Sequence, residues 1–149
     1  MPPSRYTTHL VTWQAAEPQL RTIRTEVFIL EQRVPEALEW DGEDAHAIHA
    51  LATDLNSNPI GTARLLLHGA LAHIGRMAVL PAWRGQGVGA SLLQVLLDEA
   101  RKHGAGSAFL NAQTYAVPFY ERFNFVREGE EFLDAGIPHY RMTFCLVSP

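Results

Sequence analysis

Residues 76–104 read RMAVLPAWRGQGVGASLLQVLLDEARKHG. An extended apolar run over 77–80 meets Pro81, and Arg84 is followed by glycines at positions 85, 87 and 89. From Gly87 onward Val88, Leu92, Leu96 and Ala100 form one stripe with Leu93 and Leu97 beside it, the pattern of an amphipathic helix. Arg101, Lys102 and His103 followed by Gly104 give that helix a cationic last turn and a C-terminal stop. A helix N-terminus leaves backbone N–H groups unpaired and carries roughly half a positive charge. Glycines let the backbone come close to a ligand and open positive φ, so successive amides can converge on one anion. Arg84 adds a planar, permanently charged donor fork at the same place. Together these features make a phosphate or pyrophosphate site.

Two other phosphate motifs do not fit. A Walker loop needs a lysine that this turn lacks, and a Rossmann fingerprint needs Gly-x-Gly-x-x-Gly directly after an early parallel strand. Here the spacing is Gly-x-Gly-x-Gly, and the residues LPAWR (80–84) separate strand from turn.

Working outward, THLVTW (8–13) is rich in β-formers and predicts a first strand. Pro18 suits a first helical turn, and Leu20, Ile23, Val27 and Leu30 continue at helical spacing to give a helix over about 18–31. The acidic VPEALEWDGEDA (34–45) reads as a solvated loop with a short helical turn. Strands follow at 46–53 and 60–68, then LAHIGRMAV (71–79) as the antiparallel partner of the latter across Gly69. Residues 107–112 predict a strand, 116–123 a short helix, and 124–133 with 139–147 a final strand pair. The expected order is β-α-β-β-β-α-β-α-β-β, a single-domain α/β (α+β) fold whose mixed, mostly antiparallel sheet is flanked by helices.

The totals narrow the class. At 149 residues, with 47% apolar and 19% charged side chains, the chain is one globular domain, 1–149, without repeats or linkers. A net charge of -4 argues against nucleic acid or an anionic membrane as partner. No apolar run approaches ~18 residues, and MPPSRYTTHL (1–10) has no secretion-signal pattern. The single Cys145 excludes an internal disulfide, suits a reducing cytoplasm, and lies in an apolar strand run where a nucleophile is not expected.

RGQGVG (84–89) resembles the Arg/Gln-x-x-Gly-x-Gly/Ala pattern of the GNAT acyltransferases, the superfamily of acetyl-CoA-dependent N-acetyltransferases. FYERFNF (119–125) is similar to a later signature of the same superfamily, and the element order matches its fold along nearly the whole chain. VFILEQRVPEALEWDGED (27–44) and EEFLDAGIPHYRM (130–142) resemble its ElaA-type branch.

That resemblance implies acetyl-CoA as cosubstrate and an amine as acceptor. Met77, Ala78 and Val79 would lie on a bulged strand whose backbone amides meet the pantetheine arm and the thioester, the Val79 amide steadying the oxyanion. Arg84, Gly85, Gln86, Gly87, Val88, Gly89 and Ala90 would wrap the pyrophosphate, and Asn111 would meet the pantetheine where two strands part. Tyr120 would protonate the departing thiolate. The family favours glycine where this chain has Asn124, the commonest non-glycine residue in the left-handed region.

A base must also deprotonate the amine, and the candidates are Glu31, Asp41, His49 and His139. Histidine brings a proton affinity near neutrality. The acidic run Glu36, Glu39, Asp41, Glu43 and Asp44 would attract a cationic amine. No metal is expected, since His46 and His49 on one strand would point to opposite faces. A longer acyl group, or a CoA-binding regulatory role without turnover, are the alternatives. A homodimer is conceivable if HYRMTFCLV (139–147) forms an exposed edge strand.

Overall fold

The computed structural model describes residues 5–147. Strand β1 (Tyr6–Val11) stops where the Thr12 side chain accepts a hydrogen bond from the Ala15 amide at 3.1 Å, which caps helix α1 (Trp13–Arg24). The first strand therefore lies two residues before its expected span of 8–13, and the first helix begins ahead of its expected start at 18. Ala16 departs from helical geometry just before Pro18, so the proline sits beyond a kink and costs no internal ladder bond. The helix then widens into a π-helical segment, Thr25–Glu31, of the kind that recurs at functional sites.

After the one-turn α2 (Glu36–Glu39) and a 3₁₀ turn (Asp44–His46) come β2 (Ile48–Asp54), β3 (Pro59–His68) and β4 (Leu71–Val79). His46 thus belongs to the 3₁₀ turn, and the expectation that it shares a strand with His49 is corrected. Helix α3 (Val88–Lys102) leads to β5 (Ser107–Gln113), then to α4 (Val117–Glu121), β6 (Val126–Asp134) and β7 (Ile137–Cys145). Asn124 takes φ 70° in the turn after α4, as its residue type permits.

One seven-stranded sheet runs β1-β2-β3-β4-β5-β7-β6. All its pairs are antiparallel except β4 with β5, which needs the α3 crossover between them. Strand β7 lies inside the sheet, between β5 and β6, so it is not the exposed edge strand that a homodimer would have used. In sequence both final strands look alike; only the pairing of β7 with β5 decides which one is interior.

Helix α3 covers one face. Its Leu92, Leu93, Leu96 and Leu97 are at most 2% exposed and pack on Ala63, Leu65, Ala72, Ile74, Ala108, Leu110 and Met142. Each such side chain contributes about 1.5–3 kcal/mol of burial free energy. Helix α1 covers the other face over β2, β3 and β4 through Leu20 and Ile23. Among the described residues no helix is long and apolar enough to cross a membrane.

Candidate active site

Strands β4 and β5 stay together for only three register pairs, Leu71–Ser107, Ala72–Ala108 and His73–Phe109, and then part. The gap continues into a cavity of about 690 Å³, a volume ordinary for a ligand site. Residues 74–79 of β4 form one wall, and Leu110, Asn111 and Gln113 of β5 face them. On the β3 side, Thr62 pairs with Ala78 and Arg64 with Gly75, so Arg76 and Met77 together oppose one residue. This is a β-bulge, and Arg76 adopts φ 52° within it. Leu80 donates its N–H to the Ile60 carbonyl at 2.9 Å. Alternation along the strand then turns the N–H and C=O of Val79 toward the open side.

At the far end of the gap Gly85 and Gly87 take φ 75° and 87°, values that an L side chain resists. The first helical bond of α3 runs from the Ser91 amide to the Gly87 carbonyl, and no side chain caps the helix. The amides of Val88, Gly89 and Ala90 therefore have no intrahelical partner, and all three residues line the cavity. Gln86 does not line it. Its side chain returns to the Ala82 carbonyl at 3.0 Å, and its own carbonyl accepts from the Tyr6 hydroxyl at 3.1 Å.

Arg84 lines the cavity, but its guanidinium is already engaged. Nε donates to the Val79 carbonyl at 2.9 Å, and the two terminal nitrogens meet both oxygens of Glu31 at 2.7 and 2.6 Å. The bond from Arg84 holds the Glu31 carboxyl below its usual range. Glu31 sits at the glycine turn and does not line the cavity.

The other candidate bases separate clearly. Burial pushes the Asp41 carboxyl up, but bonds from Arg64 and the Glu43 amide, with the charges of Arg64 and Arg76, outweigh it and bring it down to about 2. His49 is 1% exposed, with Nε2 at 3.0 Å from the Asp44 carbonyl and its ring against Trp13, away from the cavity. His139 does line the cavity. Its Nδ1 lies 2.6 Å from the Ile137 carbonyl, which can only accept, so Nδ1 bears a proton and Nε2 is the ring nitrogen left for another partner. Tyr120 also lines the cavity, 7% exposed, with its ring edge-on to Phe119 and Phe125. Burial raises its pKa well above the ordinary phenol value, so it keeps its proton.

The acidic stretch is only partly solvated, contrary to its reading as a loop in water. Arg24 is fully buried beside Trp13 and Trp40, with Nε 2.7 Å from Glu39 and a terminal nitrogen 2.6 Å from Asp44. Arg64 bridges Asp41 and Asp44, and Arg76 bridges Glu39 and Asp41. Glu39 and Arg76 both line the cavity. For Glu39 desolvation is the largest influence and raises its pKa despite three nearby guanidinium groups.

Sequence reasoning missed Arg76, His73 and Arg122 as cavity residues, and it missed the Gln113–Gln32 hydrogen bond of 2.8 Å that ties β5 to the residue following the π-helical segment. Nothing in the local pattern marks the bulge, because the residue with positive φ carries a long side chain. Among the described residues no three His, Cys, Asp or Glu side chains gather as a metal group.

A family model described as an acetyltransferase (GNAT) domain matches residues 11–146. The Bacillus subtilis protein YjcF, named an uncharacterized N-acetyltransferase, is 39% identical over 121 residues, 80% of this chain and 86% of that protein. The crystal structure of Escherichia coli ElaA superposes with a TM-score of 0.83 at 27% identity, covering 93% of this chain and 98% of that one. An acyl-CoA N-acyltransferase from Pseudomonas aeruginosa gives 0.81 at 30% identity, with the same two coverages.

Proposed function

Because this chain belongs to the GNAT acetyltransferase family and is similar in structure to ElaA, we propose that it is an acyl-CoA-dependent N-acyltransferase that moves an acetyl group from acetyl-CoA to an amine. The observation that carries the reading is the gap between β4 and β5, closed at one end by the uncapped amides of α3. Those amides suit a pyrophosphate. The unpaired strand edges, with Asn111 on the β5 wall, suit the amide groups of a pantetheine arm. Cys145 as the single cysteine fits a reducing cytoplasm.

In the proposed reaction the amine nitrogen forms a bond to the thioester carbonyl carbon, and the carbon–sulfur bond breaks. The Val79 N–H faces the position where negative charge develops on the carbonyl oxygen. His139 Nε2 takes the proton that the amine loses, directly or through water, and the Tyr120 hydroxyl donates to the departing sulfur. Glu31 holds Arg84 and is not assigned the base role, because a carboxylate bonded to a guanidinium is a weaker proton acceptor.

Calorimetric titration with acetyl-CoA and with CoA, followed by thiol release with a panel of amines, tests the whole reading. Binding without thiol release would indicate a CoA-binding module, and no binding would end the assignment. Arg84→Glu sets two carboxylates against each other and removes the bond to the Val79 carbonyl, so acetyl-CoA affinity should fall tenfold or more. Unchanged affinity would take the turn out of the cofactor site. His139→Gln keeps a polar side chain but loses the basic nitrogen. The rate should fall about 10²-fold while acetyl-CoA affinity stays unchanged. An undiminished rate would give the base role to another group.

A further inference from the structure

Two buried side-chain nitrogens among the described residues have no hydrogen-bond partner, Nε of Arg76 and Nε of Arg141. Arg76 is compensated, since Glu39 lies 3.1 Å from that nitrogen and another Arg76 nitrogen meets the Glu39 carbonyl and Asp41. Arg141 is not. Its Nε stands 3.6 Å from a Glu128 oxygen, beyond hydrogen-bond reach, and the Glu128 side chain is 60% exposed. The Arg141 side chain is itself 41% exposed and an exposed pair at that distance is worth little, so Nε is buried without a partner while the rest of the guanidinium stays open to solvent and to a ligand.

The position of this arginine gives the anomaly meaning. Residues two apart on a strand share a face, so Arg141 lies on the same side of β7 as His139, roughly 7 Å further along. Across the ladder Arg141 is opposite Asn111, as His139 is opposite Gln113. Asn111, Gln113 and His139 all line the cavity, which places Arg141 at its margin. The guanidinium sits 4.0 Å from the centre of the Phe109 ring, and Phe109 stacks on His73 at 4.3 Å. This row across three strands holds the guanidinium by one face and leaves the edge formed by its two terminal nitrogens without a protein partner among the described residues. An in-plane edge of that kind matches the two oxygens of a carboxylate. Glu128 nearby disfavours a dianion such as a phosphate monoester.

We propose that Arg141 binds a carboxylate on the acceptor, so that the acceptor is an amine bearing a carboxylate, of the amino-acid class, with its nitrogen toward His139. This rests on the acyltransferase reading above and deepens it. Arg141 would determine specificity; it takes no part in the proton transfers.

The test uses the full chain, Arg141→Met and Arg141→Lys, with acetyl-CoA affinity measured first by calorimetry. Thiol release from acetyl-CoA is then followed with free L-amino acids, each against its decarboxylated counterpart. The wild type should prefer the carboxylate-bearing amines tenfold or more in kcat/KM. Arg141→Met should erase that preference by raising KM for the amino acids, Arg141→Lys should keep part of it, and both should bind acetyl-CoA as the wild type does. Equal turnover of the decarboxylated amines by the wild type, or a preference that survives in Arg141→Met, would overturn the proposal while leaving the acyltransferase reading intact. Absence of acetyl-CoA binding by the wild type would remove both.

Discussion

Tyr120→Phe should lower turnover by about 10²–10³-fold while leaving acetyl-CoA affinity within a factor of two. The substitution removes a single oxygen. The ring stays packed edge-on against Phe119 and Phe125, so neither the core nor the cavity wall should shift. What is lost is the one donor assigned to the departing sulfur. Burial keeps the tyrosine protonated, so at neutral pH the wild-type hydroxyl always arrives as a donor, and the loss should be the same across the neutral range. The measurement is single-turnover thiol release at saturating acetyl-CoA, with calorimetry in parallel. A rate equal to that of the wild type would remove Tyr120 from the chemistry, and a parallel loss of affinity would make its role one of packing.

The second large effect is on stability. Arg24→Met should cost about 3 kcal/mol, because it leaves the buried Glu39 and Asp44 each short of a charged hydrogen-bond donor. The figure lies at the low end for a broken buried pair, since Arg76 still reaches Glu39 and Arg64 still reaches Asp44. For a chain of this length that corresponds to a fall in Tm of about 6–12 °C. Arg21→Met is the internal control. Arg21 also pairs with a carboxylate, Glu17 at 2.7 Å, but both side chains are over 40% exposed and the loss should be under about 1 kcal/mol. Equal Tm shifts for the two variants would show that burial of the network contributes nothing.

The same network sets the acid response. Asp41 and Asp44 are held below the unfolded value near 3.8, as their guanidinium partners outweigh burial. Their stabilisation is present above about pH 4 and disappears as pH falls toward the folded value, about 2 for Asp41. Glu39 has the opposite sign, since burial raises it, and its protonation blunts the loss.

The acidic stretch shows where sequence reasoning fails. Glu36 and Glu43 are exposed as a solvated loop would be, but Glu39 and Asp44 between them are buried. Their partners Arg24 and Arg64 come from α1 and β3, so no window around residues 36–44 contains the reason. The base assignment failed to resolve for the same cause. Glu31, Asp41, His49 and His139 are equal in sequence, and only their neighbours separate them: a guanidinium on Glu31, two on Asp41, a carbonyl and a tryptophan on His49, and an open cavity beside His139.

The sequence alone determined the elements whose causes are local. The α3 stripe, the positive-φ glycines at 85 and 87, the Asn124 turn and the β3–β4 hairpin all follow from residue type and short-range spacing, and together they were enough to identify the family. Only the tertiary structure decided where the bulge falls, at Arg76, along with the interior place of β7, the Arg84–Glu31 pair and the stack beneath Arg141. Each of these joins residues far apart in the chain, or forces a residue into a conformation that its own type does not announce. A hydrophobic period records which face of an element is buried; what that face meets is settled by packing free energy summed over partners that no local window contains.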